Sequence, residues 1–229
     1  MIRFLTSTAV LVSTAFLGLT AVTVFGQSAK QIEQTKGNDS FENIKDSVIK
    51  KEIAFFTTTG SFKTAKGDSF PKTKVDEIPL VKCTDSSAYF EKGNLKAIDI
   101  IVSIYSEKFD TTGHKFTYVN VPNPFLALID NKPFWGTDGG IPKEKIKKVE
   151  FVHNKYVLFL PDSALAGLYE PNFCNILSGK QTPFCKVFRS VDNRRVYIYM
   201  SNSDGAGGYE VTWVIQDSKY LMRVVDYGS

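Results

Sequence analysis

The stretch that most constrains this chain is its C-terminal part. "KVFRSV", "RVYIYM", "YEVTWVI" and "YLMRVV", all within residues 186–225, are short runs of β-branched and aromatic residues. Between them lie "DNR", "SNSDGAGG" and "QDSK", built from Asp, Asn, Ser and Gly, which tolerate tight backbone reversals. Strand, turn, strand at this spacing predicts an antiparallel meander. Gly205, Gly207 and Gly208 supply the positive φ angles that such a reversal needs, which leaves Asp204 without a turn role. No unit repeats every 20–50 residues, so a solenoid or propeller is not expected.

Upstream, "NLKAIDIIVSIYS" places Ile98, Ile100, Val102 and Ile104 on one face of a strand, with Ile101 and Tyr105 on the other. That pattern predicts a central strand buried on both sides. "KVEFV" and "YVLFL" flanking "HNK" read as a compact hairpin, and Lys143, Lys145, Lys147 and Lys148 as a solvated edge. Two helical segments interrupt the strands. Asp39 and Glu42 form a capping-box pattern ahead of Phe41, Ile44 and Val48, which predicts an amphipathic helix over 40–51. "PDSALAGLY" predicts a helical turn capped by Asp162 or Ser163. The expected fold is therefore mainly β: an antiparallel β-sandwich or strongly bent sheet, with an N-terminal amphipathic helix and one short inserted helix.

The chain begins with a single charge, Arg3, followed by an uncharged run from Phe4 to Gly26. This is the pattern of a secretory signal peptide over 1–26, with Val24 and Gly26 at the exit. The run is also long enough for an uncleaved anchor, although its serines and threonines weaken that alternative. Residues 27–38 read as a polar, disordered leader and 39–229 as one β-rich domain. No later run is apolar for long enough to span a bilayer, so a secreted or periplasmic location is expected. A formal charge of +4, mixed with many acids and carried mostly by lysine, does not suggest nucleic acid as a partner.

In an oxidising compartment, Cys174 and Cys185 would close the loop between them as a local disulfide. That leaves Cys83 either buried and inert or paired with one of the other two.

Motifs for chemistry are sparse. "SVIK" at 47–50 has the Ser-x-x-Lys spacing but lacks the partners of that active site. There is no nucleophile elbow, phosphate loop or zinc helix, and His114 and His153 read as solvated turn residues. Neither glycine-rich turn fits an EF-hand. Asp138 and Asp204 could still share a loose oxygen site, which makes calcium the one cofactor left open. Asp138, Glu150, Asp204 and Glu210 are candidate carboxylates for a hydrolase acting on a glycan. The leading expectation is a non-enzymatic exported protein that binds a glycan or protein partner through a β surface. Tyr197 and Tyr199 beside Arg195, with Tyr209 and Trp213 on the next strand, are the candidate aromatic platform. A hydrolase with paired carboxylates and a structural or inhibitory envelope protein are the alternatives.

Overall fold

A computed structural model describes residues 39–66, 75–94, 97–121, 123–177, 180–203 and 207–227. The chain divides into two units, Met1–Thr35 and Lys36–Ser229. The signal-peptide and leader segments of the sequence reading, and Asp204, lie outside the described residues.

Two five-stranded antiparallel sheets form the β-rich unit. Strands β1 (Asp76–Ile78), β11 (Cys185–Arg189), β12 (Arg195–Asn202), β13 (Tyr209–Gln216) and β14 (Lys219–Tyr227) make the first sheet in the order β1-β11-β12-β13-β14. The predicted meander is its body. The second sheet runs β2-β3-β4-β7-β8, from β2 (Leu80–Thr84), β3 (Ser87–Asn94), β4 (Ala97–Lys108), β7 (Glu144–His153) and β8 (Tyr156–Phe159). Two smaller ribbons pair β5 (Phe116–Val121) with β6 (Asn123–Ile129) and β9 (Cys174–Leu177) with β10 (Lys180–Pro183).

The alternation of side chains decides how these sheets stack. Val196, Ile198 and Met200 of β12 and Tyr209, Val211, Trp213 and Ile215 of β13 join Phe90, Ile100, Val102, Ile104, Val149 and Phe151 of the second sheet in one core. The opposite face of the first sheet carries Phe188, Tyr197, Tyr199, Val214 and Val224. There it is roofed by Phe41 and Ile44 and by α1 (Ser47–Phe56) through Ile49, Ile53 and Ala54. The order is helix layer, first sheet, core, second sheet.

Burial on both faces therefore belongs to β12 and β13, not to β4 as the sequence pattern suggested. β4 is central, but Tyr105 on its outer face is 37% exposed. The lysines at 145, 147 and 148 lie on β7, which runs between β4 and β8 and is not an edge.

The predicted N-terminal helix is present but starts later. Phe41–Asn43 forms a single 3-10 turn, and α1 begins after Asp46, whose carboxylate accepts from the amides of Val48 and Ile49 at 2.8 and 3.1 Å. Thr57 ends α1 and caps α2 (Thr58–Ala65), accepting from Gly60 N at 3.0 Å. The inserted turn is α3 (Asp162–Leu165).

Three hairpins use two-residue turns in which both residues have positive φ: Asp130–Asn131, Asn154–Lys155 and Asp217–Ser218. This is the turn geometry that matches the twist of paired strands.

The disulfide differs from the expected one. Cys83 of β2 is joined to Cys174 of β9, and Cys185 is the free thiol, fully buried. The reason is side-chain direction. Cys185 opens β11 and points into the core, where its thiol lies 3.6 Å from the Phe173 carbonyl. Burial pushes that thiol up to about 12. Cys174 pairs in register with Pro183, not Cys185, and its sulfur meets the second sheet instead.

Candidate functional site

The sequence-predicted platform residues are brought together, but not at the surface. Tyr197 and Arg195 are 0% and 7% exposed and meet Glu52 of α1 beneath the helix layer. Arg195 donates to Glu52 Oε2 at 2.9 Å through Nε, to Oε1 at 3.3 Å through Nη2, and to Asp192 at 3.0 Å. The Tyr197 hydroxyl completes the triangle by donating to Glu52 and accepting from Arg195 Nε at 3.0 Å. Burial, then the Glu52 hydrogen bond, pushes the Tyr197 hydroxyl well above the ordinary tyrosine range. Tyr199 is held in the same way by burial beside Glu210.

Glu210 itself is buried and works as a cap. Its two oxygens accept from the amides of Thr58 and Thr59 at 3.1 Å each, and from the Tyr199 hydroxyl at 2.8 Å. A carboxylate on the sheet thus sits at the positive end of α2. Tyr209 and Trp213 share a face, as read, but it is the core face. Their polar ends are spent on the Tyr169 and Ala164 carbonyls at 2.9 and 2.8 Å. The exposed platform expected of Arg195, Tyr197, Tyr199, Tyr209 and Trp213 is corrected to interior structure, because helices roof one face and the second sheet covers the other.

The two glycine-rich turns do meet. Gly136 N donates to the Gly207 carbonyl at 3.1 Å, and Gly207 N donates to the Asp138 carboxylate. A Cβ on Gly207 would lie 2.5 Å from the Thr137 carbonyl carbon, so glycine is required there for close backbone approach. Among the described residues, no group of three or more His, Cys, Asp or Glu side chains gathers as a metal site. The remaining candidate carboxylates are dispersed: Glu150 pairs with Lys148 on the second sheet, while Glu210 lies under α2.

The face that stays open belongs to the second sheet. Register places Tyr105 and Lys148 opposite each other on β4 and β7, and Glu150 opposite Phe159 on β7 and β8. The Lys148 ammonium lies 4.8 Å from the Tyr105 ring centre and 5.5 Å from that of Phe159. Such distances are within cation–π range. Val157 and Phe159 are 47% and 55% exposed, and Tyr156 is 51% exposed.

β8 is also an edge: among the described residues it pairs with β7 alone. The hydrogen-bond pattern follows from the two-residue turn that joins them. His153 and Tyr156 flank that turn, so alternate pairs bond across the ladder, and Leu160 N donates to the Val149 carbonyl at 3.0 Å as this requires. Tyr156, Leu158 and Leu160 therefore spend their backbone groups inward. Val157 and Phe159 turn theirs away from β7 and carry exposed apolar side chains as well. The hairpin was legible in "KVEFV–HNK–YVLFL"; that its second strand ends a sheet was not.

No protein-family model, curated protein or solved structure matches this chain. No described helix is long and apolar enough to cross a membrane.

Proposed function

We propose that this protein is an exported binding protein that takes an extended segment of a protein partner along the outer edge of β8. The observation that carries this reading is the edge itself, where Val157 and Phe159 combine outward backbone groups with side chains 47% and 55% exposed. Exposed apolar edges template further strand pairing, and proteins ordinarily blunt them with charge, proline or a bulge. β8 carries none of these devices within "YVLF". Strand addition of this kind draws affinity from main-chain hydrogen bonds and specificity from alternate side chains. Tyr105, Phe159 and Lys148 supply the neighbouring surface for that second part. Export is supported by the leader pattern of residues 1–26 and by the Cys83–Cys174 disulfide, since such bonds persist in oxidising compartments.

The test exploits the register. A photo-crosslinking residue at position 159 should trap a discrete partner in envelope extract. Titration of that partner should then show Val157→Pro binding at least about tenfold more weakly, the loss of roughly one main-chain hydrogen bond in a desolvated edge. Val157→Pro removes an outward amide and no internal bond, so its melting temperature should match the parent's. Equal affinity of the folded variant, or no trapped partner, contradicts the reading.

A further inference from the structure

Between the two sheets lies a cavity of about 130 Å³ with apolar walls from Ile100, Phe151, Val196 and Ile215. Its polar lining comprises Arg189, Asn193, Arg194 and Asp217 together with His153 and Ser218. The last two are each delivered by a hairpin of a different sheet. His153 is the last residue of β7 before the Asn154–Lys155 turn, and Ser218 is the second residue of the Asp217–Ser218 turn, held at φ 61°. Ser218 Oγ lies 3.1 Å from His153 Nδ1, and His153 Nε2 lies 3.3 Å from Asp99 Oδ1. Asp99 accepts from Arg189 Nη1 at 2.6 Å, and Arg189 also lines the cavity.

We propose that Ser218, His153 and Asp99 form a serine acyl-hydrolase site for short-chain carboxylic esters. Hydroxyl, imidazole and carboxylate stand in a row, the first pair hydrogen-bonded and the second in ion-pair contact, and such rows are recognised by geometry and role, not by sequence order. The Asn154 side-chain nitrogen lies 3.0 Å from Nε2; a flip of that amide brings its oxygen there and lets the ring carry its proton on Nε2, facing Asp99. Nδ1 is then free to take the Ser218 proton as Oγ bonds to the acyl carbon. The carbonyl electron pair moves onto oxygen. Arg189 supplies a donor for that charge: its Nε is buried and, among the described residues, has no hydrogen-bond partner. Collapse of the intermediate breaks the ester C–O bond, and the alcohol leaves with the proton from Nδ1. Water, activated by the same nitrogen, attacks the acyl-serine, releases the acid and restores Oγ–H. The net change is ester plus water to acid plus alcohol.

Cavity size sets the substrate class. About 130 Å³ is close to the roughly 150 Å³ that accommodates a benzene ring, so acyl chains of about two to four carbons fit. Asp99 is a positioning residue, acting through the imidazole.

The experiment is active-site labelling of the full chain with a fluorophosphonate, alongside hydrolysis of p-nitrophenyl acetate and butyrate. The expected result is one phosphonylated serine, Ser218, by peptide mass. Ser218→Gly removes Oγ while easing the positive φ, so it should keep its melting temperature and lose both label and hydrolysis. His153→Gln should lower kcat by about 100-fold or more. Asp99→Asn should lower kcat with KM nearly unchanged, a split that loose packing would not give. Absence of label and of hydrolysis in the parent protein overturns the proposal, as does label or hydrolysis that survives in folded Ser218→Gly.

Discussion

Glu52 shows what a single buried carboxylate does here. It is 2% exposed and its partners, Arg195 and Tyr197, are 7% and 0% exposed, so the whole triangle is removed from water. Such a pair contributes little net stability, because desolvation offsets attraction, but removing one partner strands the other charge. Glu52→Ala should therefore destabilise by about 3–5 kcal/mol in denaturant titrations. The double change Glu52→Leu with Arg195→Met should cost much less than Glu52→Ala alone. Equal losses for the two would contradict the assignment. Gly207 is the second position where one side chain decides the outcome. Gly207→Ala forces a methyl into the Thr137 backbone and should cost about 1–3 kcal/mol. These two differ in how visible they were in the sequence. The glycines at 207 and 208 were visible in the sequence, but not their reason: Gly207 is needed for close approach to the Thr137 backbone, and neither glycine has the positive φ the turn reading assigned. Glu52 gave no sign at all, since the glutamate in "IKKEIAFF" resembles any solvated helix residue until the helix is laid on Arg195.

At the scale of elements, strand existence was legible and strand environment was not. Val196, Ile198 and Met200 alternate with Tyr197 and Tyr199 whether the tyrosines face water or a helix. Only the docking of α1 across β12 makes that face interior. The same ambiguity promoted β4 to a doubly buried strand. The disulfide misled for a related reason: nearness in sequence favoured Cys174–Cys185, whereas strand direction sends Cys185 into the core. Cys83–Cys174 closes a separation of 91 residues. By loop-closure entropy such a link stabilises by about 4–5 kcal/mol, against about 2–3 for the short loop first expected. Cys83→Ser with Cys174→Ser should lower the melting temperature markedly, while Cys185→Ala should not alter oxidation state. Retained stability after loss of Cys83 and Cys174, or a mass change showing Cys185 oxidised, would contradict this pairing.

For the whole molecule, the two faces of the sandwich have unequal fates. The helix layer on one face of the first sheet buries Tyr197 and Tyr199, the core on the other buries Tyr209, and all three are committed to the neutral form. Their hydroxyls are raised above the unfolded value of 10.0, chiefly by burial. The stability they contribute is complete below pH 10 and declines as pH rises toward the raised values. Alkaline titration at 295 nm should accordingly show these tyrosines ionising together with loss of β-sheet circular dichroism, not before it. The second sheet is left with an open face and an apolar edge, and the proposed function rests there. Amide exchange resolved at single residues tests that account most directly. In the isolated protein, Leu158 and Leu160 should be protected while Val157 and Phe159 exchange rapidly, and the crosslinked partner should slow the latter pair at least about a hundredfold, as local protection of a newly formed ladder requires. Protection of Val157 and Phe159 in the isolated protein, or their unchanged exchange in the complex, would contradict it.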